Sequence, residues 1–441
     1  MMVQLALNKS LKERFTTTTT NMSRQKLLNQ NNDFDYIPES STSLNDSESE
    51  VEKKQTATAK NKKNKSNINI ISTDVSYVVP PGENYVCELL RIVVKFSEKD
   101  RNGVQSASLI VKRLLENELV QKFNEEMGFF SCEFSIYRCI LPMIEKLGLK
   151  EKIAPKKYYA SMEPENIIVI QDLSALHYKM ANRQEGLNLE HCLLAIKKLA
   201  YFHAFSLALY EKYPKTMDQF NKGMLSKTEA FEQYFSTVYQ GTVNACKREP
   251  CLQKYYDKIN KDMKEKLFSS VRRDSKFNVL NHGDFWCNNL MFQYNANGSL
   301  EDVLFVDFQV SVFASPLYDL HYFIATSTNL EVKEKHIDEI VYYYYNELVK
   351  NVKILKTTVT VPSWKDFEKE FCNKAYMGFT SLIIGLPIIK ANKRNDATVT
   401  NLLTENDDED SFHHHCFTNS NYLTAIKFLL PYYDSLGVFD N

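Results

Sequence analysis

Residues 281–292 read N-H-G-D-F-W-C-N-N-L-M-F, placing His282, Asp284, Asn288 and Asn289 within eight positions, just ahead of an apolar segment. Polar side chains at this density cost folding free energy unless they are hydrogen-bonded or used. Asp284 and Asn289 share one loop. The apolar run L-M-F-Q-Y (290–294) turns through N-A-N-G (295–298) into D-V-L-F-V-D-F (302–308). A hairpin returns its far strand to its starting point, so Asp307 is expected beside Asp284 and Asn289. Two Asp and one Asn meeting in this way suit phosphoryl transfer. One carboxylate accepts the proton of an attacking hydroxyl, and the amide and second carboxylate offer hard oxygen ligands to Mg²⁺ on ATP. A metal site built on His282, or a well-bonded turn, would use the same residues.

The reaction also needs a cation on the phosphates and a group to hold it. S-A-S-L-I-V-K-R-L (106–114) reads as a strand carrying Lys112, and the helical run that follows carries Glu133 in F-S-C-E-F-S-I-Y. Strand lysine, helix glutamate, loop Asp and Asn, then strand-end Asp occur in that order. Any single member is weak, because most Lys and Glu are solvated and strand-end Asp usually forms a turn. The ordered set of five makes coincidence improbable.

The elements that must position these groups follow from periodicity. V-C-E-L-L-R-I-V-V-K-F (86–96) and N-I-I-V-I-Q-D-L (166–173) read as further strands, with turns at P-P-G-E-N-Y (80–85) and E-K-D-R-N-G (98–103). From Gln121 to about Leu147, Phe130, Phe134, Tyr137 and Ile140 recur at helical spacing. Helices are expected over 190–209, 216–240 and 336–352. A β-rich front followed by a helical back predicts two lobes around a cleft, in an α+β fold. Residues 1–74 combine T-T-T-T-T, D-S-E-S-E-V-E and K-N-K-K-N-K with few aromatics, the composition of a disordered tail. The lysine cluster reads as a solvated charge run, and the basic first 30 residues only faintly resemble a mitochondrial presequence.

Composition narrows the classes. Fifty-four Lys+Arg against 55 Asp+Glu in 441 residues argues against nucleic-acid binding through bulk charge. Nine cysteines without a Cys-x-x-Cys pair predict reduced thiols and a cytoplasmic address. No run is read as long and apolar enough to span a membrane. The 27 Phe and 25 Tyr serve a large core first and apolar ligand pockets second. F-H-H-H-C (412–416) lacks metal-ligand spacing and reads as a polar surface loop.

These motifs resemble the ecdysteroid-kinase-like (CHK kinase-like) family, within the aminoglycoside and choline kinase branch of the protein-kinase-like superfamily. Beyond H-G-D-x-W-x-N-N-x-M-F, the matching pieces are G-E-N-Y (82–85), F-x-x-E-x-x-x-Y-x-x-x-L-P (130–142) and Q-D-L-S (171–174). K-M-A-N-R-Q-E-G-L (179–187), V-D-F-Q (306–309) and S-P-L-Y-D-L-x-Y-F (315–323) complete them. The similarity runs from about residue 76 to the C-terminus. It implies a two-lobed protein-kinase-like fold, with the β-rich N-lobe over 75–173 and the mainly helical C-lobe over 174–441. It further implies Asp284 as catalytic base, Asn289 and Asp307 as Mg²⁺ ligands, Lys112 on the α/β-phosphates and Glu133 paired with Lys112. Gly82 and Asn84 would cover the phosphates, and backbone at Gln171, Asp172 and Leu173 would hold adenine. His282 and Asp319 would brace the catalytic loop. Relatives carry Glu at Gln171, and the phosphate-covering segment has only Gly82, so phosphate grip rests on Lys112 and Mg²⁺. The strand preceding that segment is expected to be short, with tail replacing part of it.

Three features argue against a protein substrate. Gly283 replaces the arginine that pairs with an activation-loop phosphate in protein kinases, and Gln309 stands where they place the glycine of D-F-G. Seven residues between Asp307 and Ser315 are too few for a peptide platform. The expected protein is therefore a monomeric ATP- and Mg²⁺-dependent kinase of a small hydroxylated molecule, with Trp286 as a substrate wall or a core anchor. The resemblance implies ecdysteroids or hydroxylated xenobiotics as acceptors. A choline-kinase-like enzyme and a silent nucleotide- or steroid-binding pseudokinase are the alternatives.

Overall fold

The computed structural model describes residues 68–78, 87–98, 101–115, 118–148, 150–223, 229–259, 266, 277–404 and 408–440. The expected tail lies almost wholly outside them, as do Gly82 and Asn84. The chain divides into two compact units, Met1–Val75 with Ile92–Ala107, and Ser76–Arg91 with Ser108–Asn441. In the first, 68–75 belong to strand β1 (Ile68–Tyr77) and 92–98 to β2 (Cys87–Glu98). β1 starts inside the stretch read as tail and is ten residues long, so the strand ahead of P-P-G-E-N-Y is not short.

In the second unit the sheet order is β3-β5-β4, with β3 (Gln105–Leu114, here from Ser108 on) and β4 (Lys157–Ser161) each antiparallel to β5 (Ile167–Gln171). Alternation drives β3: Leu109 and Val111 point to the core, and Lys112 is opposite Ile168 on β5. The expected single helix after β3 is broken. Gly128, at φ 71°, separates α1 (Glu118–Met127) from α2 (Phe129–Ser135), which continues through a π-turn (Ile136–Ile140) into α3 (Leu141–Lys146). Phe130, Tyr137, Ile140 and Ile144 bury one face and turn Glu133 inward with them.

Beyond β5 and the short β6 (Tyr178–Met180), helices dominate. α4 (Leu189–Lys212), N-capped by Asn188 accepting the His191 N–H at 3.1 Å, packs along α9 (Ile337–Leu355). By length and composition α4 could cross a membrane, contrary to the sequence expectation. Most of it is buried in the hydrophobic core, and buried polar groups such as Lys198 and His203 lie along it. The helix expected over 216–240 is displaced: Pro214 opens a 3₁₀ turn (Pro214–Met217), and α5 runs Glu229–Arg248. α6 (Gln253–Ile259) packs against α5.

The hairpin forms as expected from β8 (Leu290–Tyr294) and β9 (Leu300–Phe305), with β6 on the outer side of β8. Two short strands missed in the sequence, β7 (Val279–Asn281) and β10 (Val312–Ala314), pair with each other on either side of the hairpin. Three residues each are too few for period-2 alternation to register. α7 (Leu317–Ser327) and α8 (Leu330–Lys335) precede α9 in the chain, α10 (Trp364–Asn373), α11 (Ala375–Ile384) and α12 (Leu386–Lys390) follow it, and α11 packs on α7. α13 (Val399–Leu403), α14 (Phe412–Thr418) and α15 (Ser420–Ser435) close the chain. The three histidines lie on α14, not in a loop. Ser411 caps that helix through the His414 N–H at 3.1 Å, and Phe412, Cys416 and Phe417 bury its inner face.

Candidate active site

The loop after β7 is built around a single buried carboxylate. Asp319, in the first turn of α7, accepts the backbone N–H of His282 at 2.6 Å and of Gly283 at 2.8 Å. It also accepts Nε2–H of His203 at 3.2 Å. Burial pushes His203 below its ordinary pKa, so the ring is neutral, and its Nδ1 receives the Tyr344 hydroxyl at 2.6 Å. Asn281 accepts the Asp319 N–H at 3.3 Å and donates to Val312 O and Ala314 O, locking the loop to β10. His282 is likewise held neutral by burial, and one tautomer satisfies its contacts. Nε2–H donates to Val306 O at 3.1 Å, and Nδ1 accepts the Asp284 N–H at 3.4 Å. Asp319→Asn would turn a donor either toward the Gly283 N–H or toward the His282 N–H and His203, and would remove the charge that accepts all three. We expect a loss of about 3 kcal/mol, read as a lower denaturation midpoint at unchanged m-value.

Gly283 sits at φ 88°, and a Cβ there would lie 2.0 Å from Val310 O. The loop therefore touches the chain just beyond Asp307, and no side chain fits between them. This backbone contact is sufficient reason for glycine at 283.

The Asp284 carboxylate is fixed by three donors. Tyr322 OH donates to Oδ1 at 2.8 Å, while Asn289 Nδ2 at 2.8 Å and Trp286 Nε1 at 3.2 Å donate to Oδ2. Each carboxylate oxygen has two lone pairs, so Oδ1 retains an open acceptor position. Loss of water around Asp284 raises its pKa to about 6, reinforced by Asp307 and opposed by the three hydrogen bonds, so the group is largely ionised at neutral pH. Trp286, half-buried against the core, is an anchor and a donor to Asp284.

Asp307 lies two residues beyond β9 in the left-handed conformation, φ 67°. That is uncommon for a non-glycine residue and marks a local constraint. The neighbouring Val306 N–H bonds Asn289 O at 3.0 Å, bringing the hairpin end to the loop as the sequence predicts. Lys112 Nζ reaches Glu133 Oε2 at 2.5 Å and Asp307 Oδ1 at 2.7 Å. Burial alone would favour the neutral amine, but Asp307 and Glu133 outweigh it and hold the ammonium protonated well above its ordinary range. Phe308 packs between His282, at 4.6 Å between ring centroids, and Tyr137, at 5.9 Å, joining loop to helix.

Asn289 fits a cation ligand: its Nδ2 is spent on Asp284, which leaves Oδ1 as an acceptor facing outward from that bond. Asp307 Oδ2 is similarly the oxygen not taken by Lys112. At the β5 end, the N–H groups of Gln171 and Asp172 bond Lys156 O at 2.9 Å and Ser108 O at 3.4 Å. Asp172 itself accepts Arg91 Nε at 2.7 Å, Ser108 Oγ at 2.6 Å and the Ser174 N–H at 3.0 Å. Its carboxylate thus ties three segments together, and Leu173 opens the short 3₁₀ turn that follows.

The structure brings Lys112, Glu133, His282, Asp284, Trp286, Asn289, Asp307 and Asp319 together. Sequence reasoning misses Tyr322, His203, Tyr344 and Asn281. Tyr322 is visible as the residue three beyond Asp319 in S-P-L-Y-D-L-x-Y-F, hence on the same helix face. His203 and Tyr344 come from the middles of two long helices, where a lone polar residue gives no distinguishing signal.

Residues 81–357 match the family model described as the ecdysteroid kinase-like family. No curated protein matches. Among solved structures, a Plasmodium vivax ethanolamine kinase is 16% identical, with 83% of this chain and 84% of that chain covered and a TM-score of 0.41. An amicoumacin kinase complexed with AMP-PNP, Ca²⁺ and its ligand is 10% identical, with coverages of 79% and 89% and a TM-score of 0.36. The GDP complex of aminoglycoside 2'-phosphotransferase-IIIa is 11% identical, with coverages of 83% and 94% and a TM-score of 0.34. These likenesses are distant, and the family model carries the assignment.

Proposed function

The chain belongs to the ecdysteroid kinase-like family, and on that footing we propose that it transfers the γ-phosphoryl group of ATP to a hydroxyl of a small molecule, an ecdysteroid or a hydroxylated xenobiotic. The convergence of Asp284, Asn289, Asp307 and the Lys112–Glu133 pair supports this most directly. In this reading Asp284 is the base. Its Oδ2 is saturated by Asn289 and Trp286, so Oδ1 takes the acceptor proton as the acceptor oxygen bonds the γ-phosphorus and ADP departs. Asn289 Oδ1 and Asp307 Oδ2 would hold Mg²⁺, which supplies charge neutralisation on the phosphates when bound. Lys112 would bind the α/β-phosphates, held in place by Glu133, and its present contact with Asp307 keeps the ammonium within the site.

Two features favour a small acceptor. Only Phe308–Ser311 separate Asp307 from β10, which leaves no room for a peptide platform. Aromatic side chains, Trp286 and Tyr322, flank the base. For the nucleotide, Leu173, opening the turn after β5, would offer its N–H to adenine. The test incubates the full chain with Mg-ATP and a panel of ecdysteroids, choline and plant phenolic glycosides, with phosphate esters sought by mass spectrometry. An ester of a steroid or glycoside is expected. ATP binding without any modified acceptor would sink this reading and leave a nucleotide-binding pseudokinase, and modification of choline alone would reassign the acceptor.

A further inference from the structure

The segment 182–187 of K-M-A-N-R-Q-E-G-L lies against two other stretches of chain, and three cations meet there. Leu187 exchanges backbone hydrogen bonds with the end of α7: its N–H donates to Ser327 O at 2.7 Å, and Asn329 N–H donates to Leu187 O at 2.9 Å. Gly186, at φ 78°, lets the Thr328 carbonyl approach to where a Cβ would be 2.9 Å away. Thr328 in turn carries Lys333, whose Nζ bonds its carbonyl and, at 2.8 Å, its hydroxyl. On the other side Lys390 Nζ donates to Arg183 O and Gln184 O, both at 3.1 Å. Arg183 answers with Nη1, which donates to Ile388 O at 3.0 Å and to Ile389 O.

Lys333 and Lys390 are each only 4% exposed, and among the described residues none of the three cations has a carboxylate within ion-pair distance. The acid in the segment, Glu185, is exposed and accepts Asn182 Nδ2 at 2.7 Å. The ionisable groups acting on Arg183 are the Cys287 and Cys416 thiols, and Cys287 is three residues past Asp284 in the same loop. Burial depresses both lysines, Lys333 well below its ordinary range.

Carbonyl contacts account for part of each cation's capacity. Lys333 and Lys390 each make two bonds through Nζ, and the Lys390 ammonium keeps a third N–H. In half-buried Arg183 both bonds come from Nη1, so the Nε–Nη2 edge carries none. That edge is the bidentate fork for an oxyanion. In this same chain Arg394 uses it on Asp396, with Nε at 2.7 Å and Nη2 at 2.8 Å. Arg183 has the fork fixed through Nη1 on two carbonyls, and no internal acid fills it.

We infer that the Arg183 Nε–Nη2 edge, backed by Lys390 and Lys333, is an oxyanion subsite beside the catalytic loop that receives a carboxylate, sulfate or phosphate group of the acceptor. This rests on the kinase reading for the word acceptor, while the subsite stands on its own geometry. It selects against amine acceptors, because an ammonium would meet the Arg183 guanidinium with no acid beside it to offset the like charge. It favours acidic conjugates such as glucuronides or sulfate esters that also carry a free hydroxyl.

The test has two arms on the full chain. In the first, sodium sulfate is titrated without nucleotide against sodium chloride at equal ionic strength, and the melting temperature is followed. A saturable rise is expected in wild type, lost in Arg183→Lys, which keeps the charge but not the fork, and weakened in Lys333→Met; cooperative melting certifies that each variant is folded. In the second arm, steady-state kinetics compare a phenolic glucoside, its glucuronide and its 2-amino-2-deoxy analogue. The glucuronide should show a KM about tenfold lower than the glucoside. That ratio should collapse in Arg183→Lys, with the amine the poorest acceptor. No sulfate-specific rise, or a rise that Arg183→Lys leaves intact, overturns the subsite. An Arg183-dependent rise without glucuronide preference overturns its use by the acceptor and leaves a free-anion site. An Arg183-dependent rise with no acceptor phosphorylated overturns the kinase reading and leaves the subsite standing.

Discussion

Asp284→Asn is expected to lower kcat about 10³-fold while leaving ATP affinity within a factor of about two. The amide is isosteric and can present its oxygen to Asn289 Nδ2 and Trp286 Nε1, so the loop keeps its hydrogen bonds. What is lost is the lone pair at Oδ1 that would take the acceptor proton, together with the charge. General-base contributions of this kind run to roughly 10²–10⁴-fold, and partial loss of orientation adds to it. Product formation by mass spectrometry and nucleotide binding by calorimetry separate the two effects. A variant retaining more than about a tenth of the wild-type rate would remove Asp284 from the chemistry, whatever its position. Tyr322 contributes as well: its hydroxyl fills one lone pair of Oδ1 and so restricts the direction from which a substrate hydroxyl can approach.

The second large effect belongs to a residue with no side chain. Gly283→Ala would put a Cβ 2.0 Å from Val310 O and 2.6 Å from Val310 C, contacts made by backbone that cannot rotate away. A φ of 88° is also strained for any L-residue with a side chain. Strain and overpacking together cost about 4 kcal/mol. The loop can relieve them only by parting from the segment after Asp307. We expect the melting temperature to fall by roughly 10 °C, and residual activity to drop at least tenfold, because the spacing between Asp284 and Asp307 is set by this contact. Unchanged melting and turnover in Gly283→Ala would show that the loop does not need the approach.

That residue also shows how the two levels of reading differ. From sequence, Gly283 stands out because protein kinases carry arginine at the position, and it reads as a statement about substrates. In the structure the Val310 carbonyl excludes every side chain there, arginine included, so the glycine is required by packing before any substrate is considered.

Much of the candidate site is legible because its parts are local or joined by a short return. Asp284 and Asn289 share one loop, a tight turn brings Asp307 back to them, and strand alternation aims Lys112 at a helix whose apolar spacing turns Glu133 inward. Period and turn chemistry carry that information in the chain itself. The supports are not legible. Asp319 gathers His282, Gly283 and His203, and Tyr344 completes the set from α9, so residues up to 141 positions apart meet in one network. The same holds for Arg183, Lys333 and Lys390, which are unremarkable cations in the sequence.

What the sequence by itself determined is the family, the order of strand, helix, loop and hairpin, and the identity of the five polar groups at the junction. Only the tertiary structure decided which lone pair of Asp284 remains open, why position 283 must be glycine, and that Arg183 keeps an unfilled fork. Residue type and spacing determine what a side chain can do. Burial, backbone approach and the exhaustion of hydrogen-bond partners determine what it has left to do, and these arise when distant segments pack together.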